Sequence, residues 1–128
     1  MTSKKAELVL IRAFQLLSEL IFAFLDLENI PAEFLGSLRG KLIELQHSVE
    51  SNDLNLIVKR IHTIENMLKP YINLLAYEDR VYFSTFEEYV RKISNIRQVP
   101  ITDIIKNTLI SFTEQLMNEL FVRGDKID

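Results

Sequence analysis

From Leu8 to Leu27 the chain is almost unbrokenly apolar, reading LVLIRAFQLLSELIFAFLDL. Arg12, Gln15, Glu19 and Asp26 fall at steps of three, four and seven, which on a 3.6-residue helix draw one narrow polar stripe. The rest of the cylinder is apolar, a face too wide for one partner helix to cover. The pattern predicts a helix from Ser3 or Lys4 to about Glu28, with Ser3 as its N-cap and Asn29-Ile30-Pro31 as its end. It also predicts that several neighbours surround that helix.

Narrower stripes follow. Phe34, Leu38, Leu42, Leu45 and Val49 mark a second helix opened by Pro31, with Glu33 near its positive end. Gly36 and Gly40 sit off that stripe, where they either weaken an exposed surface or permit a close helix contact; the first reading is favoured. Ser51-Asn52-Asp53 supplies a turn and a cap. Leu54, Ile57, Ile61, Ile64 and Leu68 then make a third helix that Pro70 must stop or kink. An aromatic-rich stretch predicts a helix from Tyr71 to about Arg80. Ser84 with Glu87, and Thr85 with Glu88, have capping-box spacing and predict a new helix through Phe86, Tyr89, Val90, Ile93 and Ile96, closed by Gln98-Val99-Pro100. A last helix opens at Ile101 or Thr102, carries Ile105, Leu109, Phe112, Leu116 and Leu120, and ends with Arg123 and a C′ Gly124. The expected fold is all-α: a compact bundle of five or six helices forming a single domain over residues 1–128.

Composition narrows the function classes. Charged residues make up 26% and apolar ones 48%, a globular balance that argues against disorder. A net charge of −3 gives no global attraction to nucleic acid or to an anionic membrane, so a nucleic-acid role needs a local basic surface. The absence of cysteine excludes disulfides, thiolate metal sites and cysteine nucleophiles. A membrane-spanning reading of the first helix would bury Arg12 and Glu19 at about 2.5–3.5 kcal/mol each. No membrane partner and a cytoplasmic location are expected.

Little here promises catalysis, and no enzyme activity, metal or cofactor is expected. His47 and His62 are the only histidines. Glu44 and His47 have the i, i+3 spacing of half a di-iron motif, but Lys59 stands where the second half, before His62, needs a glutamate. There is no Gly-rich phosphate loop, nucleophile elbow or zinc spacing. The cations are better placed. Lys59, Arg60, Lys69, Arg80, Arg91, Lys92 and Arg97 fall in the middle and later helices, interleaved with Tyr71, Tyr77, Tyr82 and Tyr89. Such residues can neutralise phosphates and stack on bases, although nearby acids bring the local charge close to zero.

Leu68-Lys69-Pro70, then Leu75-Ala76-Tyr77 and Arg80, resembles the central signature of the small helical subunit of type III-A CRISPR effector (Csm) complexes. Phe86 to Ile96 and Phe112-Thr113-Glu114 occupy comparable later places, so the resemblance covers Ile64 to Val122. The chain departs from the pattern at Glu78-Asp79, where small residues usually precede the arginine, and at Asn118-Glu119-Leu120-Phe121. The resemblance implies a non-catalytic subunit that binds RNA backbone and neighbouring protein subunits, with Lys69 and Arg80 carried over as RNA contacts. The competing reading is a protein–protein module or homodimeric adaptor without nucleic-acid binding, its interface on Phe14, Leu17, Phe22 and Phe24 of the first helix.

Overall fold

The computed structural model describes residues 3–96 and 101–127. All of its regular structure is helical: α1 (Ser3–Leu25), α2 (Ala32–Glu50), α3 (Leu54–Leu68), a 3-10 helix (Lys69–Leu74), α4 (Tyr77–Ser94) and α5 (Asp103–Ile127).

Local chemistry explains most boundaries. Pro31, extended and without an N–H to donate, precedes α2. At the α2–α3 corner Asn52 takes a left-handed conformation, φ 55°, and Asp53 caps α3 by accepting the Leu56 N–H at 3.1 Å. Thr102 Oγ1 accepts the Ile105 N–H at 3.3 Å and opens α5 in the same way.

Three expectations are corrected. Pro70 begins no α-helix at Tyr71; it sits in the first turn of the 3-10 helix, whose side chains are not buried deeply enough to hold a longer element. No helix starts at Ser84 or Thr85. Instead α4 runs through both, and the Thr85 hydroxyl donates back to the Val81 carbonyl at 3.1 Å. Gly124 is not a C′ residue, because α5 continues through it to Ile127. The closing segment Gln98-Val99-Pro100 and Arg97 lie outside the described residues.

The helices form a closed ring. α1 packs against α4 and α5, α5 against α2, α2 against α3, and α3 against α4. Directions follow from cross-helix pairs. Arg39 lies over Phe121 and Gln46 meets Thr113, so α2 and α5 are antiparallel. His62 with Ser94 and Lys69 with Glu87 make α3 and α4 antiparallel. Phe24, late in α1, stacks on Phe34 at the start of α2, which in turn meets Tyr71 just before α4, while Tyr89 late in α4 borders the beginning of α1. Thus α1 is antiparallel to α4 and parallel to α5. The chain-consecutive pairs α1/α2 and α4/α5 are not backbone neighbours among the described residues.

The ring encloses one core. Phe14, Phe24, Phe34 and Phe86 are its largest wholly buried side chains, each contributing about 1.5–3 kcal/mol by leaving water. α1 supplies its densest section, with Leu10, Ala13, Phe14, Leu16, Leu17, Leu20, Ile21 and Phe24 all inside. Of the predicted polar stripe, Gln15 is exposed and accepts from Arg12 at 2.9 Å, Asp26 is exposed just past the helix, and Glu19 is half-buried. By length and composition, Lys4–Leu25 could also cross a membrane; here more than half of its most apolar stretch is buried inside the bundle.

Candidate functional site

The interface residues expected on α1 do not form a surface. Phe14, Leu17 and Phe24 are buried, and Phe22 is half-buried against the core. The physical reason is the ring: two flanking helices and the interior together cover the wide apolar face that a single partner could not.

The expected cations divide by employment. Arg60 bridges α3 to α2, its Nη1 donating to the Glu44 carbonyl and, at 2.7 Å, to the Ser48 hydroxyl. Ser48 is itself buried and donates to the Glu44 carbonyl at 3.0 Å, so this guanidinium satisfies the inner surface of α2. Arg80 turns back from α4 to cap the 3-10 helix, donating to the Leu75 carbonyl at 3.0 Å and the Asn73 carbonyl at 3.3 Å. Lys69 pairs with Glu87 of α4 at 3.8 Å. Lys92 pairs with Glu88 at 3.6 Å and lies over the Tyr89 ring at 4.5 Å. Lys59 and Arg91 are exposed and have no side-chain partner among the described residues. The two residues singled out by the Csm resemblance, Lys69 and Arg80, are therefore both engaged within the chain.

The Glu44–His47 spacing brings no contact between the two side chains. Glu44 lies beside Lys41, at 4.0 Å, and His47 is exposed in the last turn of α2. His62 instead meets Glu65, three residues onward, with Nδ1 3.3 Å from Oε1, and its Nε2 is 3.1 Å from Ser94 Oγ on α4. Glu65 is buried and His62 is half exposed. A serine, an imidazole and a buried carboxylate in line is the order of a nucleophilic triad. The surroundings do not complete it. Ser94 ends a helix, its hydroxyl is also 2.8 Å from the Val90 carbonyl, and the next N–H groups, of Asn95 and Ile96, are bound to Lys92 and Ile93 carbonyls. An oxyanion formed there would face the negative end of α4 instead of free donors. The arrangement ties α3 to α4. Among the described residues, no group of three or more histidine and acidic side chains comes together in a way that could hold a metal ion.

Two surface features lie along α1 and α4. A shallow groove of about 370 Å³ runs between α1 and α4, lined by Lys5, Leu8, Val9, Arg12, Gln15 and Tyr89 among others. Its outer wall is the polar stripe of α1. The second feature is apolar: Leu74, Tyr77 and Val81 are exposed where the 3-10 helix passes into α4, and Tyr82 is exposed about 100° around the helix from Val81. Tyr77, 77% exposed, and Val81, 52% exposed, are one turn apart and continue through Ser84, Glu88 and Arg91 as an outward stripe. The spacings of four, three, four and three are those of one helix face, a signal obscured by the helix expected to end near Arg80. Clustered exposed aromatic and aliphatic side chains mark binding surfaces more often than isolated ones do. No protein-family model, curated protein or solved structure matches this chain.

Proposed function

We propose that the protein is a non-catalytic helical module that binds another protein surface through the exposed face of α4 that begins with Tyr77 and Val81. The carrying observation is the exposure of Tyr77 and Val81, one turn apart on α4, while the helix's other apolar face, Phe83, Phe86, Val90 and Ile93, is buried. Amphipathic aromatic side chains lose little conformational entropy on contact and are enriched at binding hot spots. A photo-crosslinking residue placed at Tyr77, with Gly36 as the exposed control position, tests the reading in cells that express the chain. A protein adduct at position 77 and none at 36 is expected; no adduct at 77 overturns it.

A second reading keeps the Csm-like role, a small subunit of an RNA-guided effector that contacts RNA backbone. Lys59 and Arg91, both outward-facing and without side-chain partners, favour it. Its test is salt-dependent filter binding: Lys59→Ala and Arg91→Ala should each flatten the slope of log affinity against log salt by about one. A wild type with no salt-sensitive RNA affinity refutes it.

A further inference from the structure

We propose that the groove between α1 and α4 binds a small amphiphilic carboxylate, its head on Arg12 and its alkyl chain over Leu8. The site is separate from the Tyr77–Val81 face, and neither reading depends on the other.

The evidence begins with Arg12. Its guanidinium is partly buried, donates to Gln15, and has no ion pair among the described residues. Most of its N–H donors are therefore left for a ligand. Gln15 accepts from Arg12 through its oxygen and keeps its amide N–H donors at the same end of the groove. No acidic residue lines the groove. A cation partly withdrawn from water and lacking a counter-charge is set for an anion, and a planar guanidinium matches a carboxylate through two parallel bonds.

The remaining lining is apolar. Leu8, one turn before Arg12, is 59% exposed, and Val9 and Ile11 are partly buried beside it. Tyr89 forms the α4 side. Lys92 lies over that ring and is itself paired with Glu88, so α4 contributes an aromatic wall and little net charge. Lys5 stands about 10 Å from Arg12 along α1, at the other end of the groove. Its stem is aliphatic, so a chain running from Arg12 toward it stays on apolar surface.

Size decides between ligand classes. The groove's volume of about 370 Å³ is near the lower end of the roughly 300–1,000 Å³ of small-molecule sites. A protein partner engages about 20–30 residues a side, whereas seven line this groove. A molecule the size of decanoate suits it better than a helix of another protein. Because the groove is shallow, part of the alkyl chain stays in water and binding is modest.

Titration of the full chain with decanoate, followed by methyl NMR, tests the site. Saturable shifts should centre on the methyl groups of Leu8, Val9 and Ile11. Hexanoate should bind about tenfold more weakly, since a fully buried methylene is worth about fourfold in affinity and these are partly wet. Decanol, which lacks the charge, should also bind about tenfold more weakly than decanoate. Arg12→Gln should lower decanoate affinity to that of decanol and leave decanol unchanged. Lys59→Gln removes the same charge on α3, which is not a neighbour of α1 in the ring, and should change nothing. Several results overturn the proposal: no saturation below micelle formation, decanol binding as well as decanoate, or an affinity indifferent to Arg12→Gln or equally weakened by Lys59→Gln. The decanol comparison uses the wild type and so holds whether or not a variant folds. Phosphatidylglycerol vesicles separate the other source of an anionic amphiphile. Shifts with vesicles and none with decanoate assign the groove to a membrane surface and overturn the carboxylate site.

Discussion

Replacing Phe34 with Ala removes the side chain that joins three elements. Its ring is buried and lies 5.1 Å from Phe24 of α1 and 4.6 Å from Tyr71 of the 3-10 helix, centroid to centroid. Deleting a buried phenylalanine costs about 3–5 kcal/mol, the upper values arising where the cavity cannot close. Closure is poor at this place, since α1 and α2 are not backbone neighbours and are joined across the interior by this aromatic contact. A loss of about 4 kcal/mol is therefore expected, against a total near 5–15 kcal/mol for a domain of this kind. Equilibrium urea unfolding reads it directly, with Ile104→Ala, at an exposed position, expected to change stability by less than about 0.5 kcal/mol. A double-mutant cycle of Phe24→Leu and Phe34→Leu should give a coupling of about 0.5–1.5 kcal/mol. A loss below about 2 kcal/mol for Phe34→Ala with an unchanged m-value, or a coupling of zero, refutes the reasoning.

Other expectations follow from single side chains. Gly36 and Gly40 are exposed within α2, and a Cβ at either would meet nothing within 4 Å. Gly36→Ala and Gly40→Ala should each stabilise by about 0.5–1 kcal/mol in thermal or urea unfolding, whereas a destabilised variant would reveal a close contact on that face. Glu19 holds a buried Oε2 with no hydrogen-bond partner, so Glu19→Met should raise stability by about 1 kcal/mol; a loss would mean that the carboxylate is satisfied in solution. Arg60→Met should cost about 1–3 kcal/mol, because the buried Ser48 hydroxyl and the Glu44 carbonyl lose their bridge to α3. A neutral Arg60→Met, measured in the same unfolding assay, would remove the guanidinium from the fold's support and return it to the free surface cations.

Much of the helical framework was legible because its signals are local. Pro31, the Asp53 cap and the Thr102 cap each mark a boundary through bonds within a few residues, and the stripes of α2, α3 and α5 face the core as their spacing requires. The misreading inside α4 was also local in origin. Ser84-Glu87 and Thr85-Glu88 match a capping box in sequence, but a helix with Phe83, Phe86 and Val90 buried in succession gains more from continuing than from restarting. The employment of the cations was not legible at all. Whether Arg60 or Arg80 is free depends on carbonyls presented by another helix or by a turn, and no spacing rule encodes that. The α1 aromatics failed as interface candidates for a related reason, since periodicity shows which side of a helix is apolar but not how many neighbours cover it.

The ring also sets an order of events during synthesis. α1 has its partners in α4 and α5, which emerge from the ribosome only after α2 and α3, while the hairpin of α2 and α3 can form as soon as both exist. This closure is non-local, and its loop-entropy cost falls on the most apolar helix among the described residues. Until α4 and α5 have both emerged, α1 lacks the two helices that flank it, so the nascent chain presents a 22-residue apolar helix of membrane-spanning length.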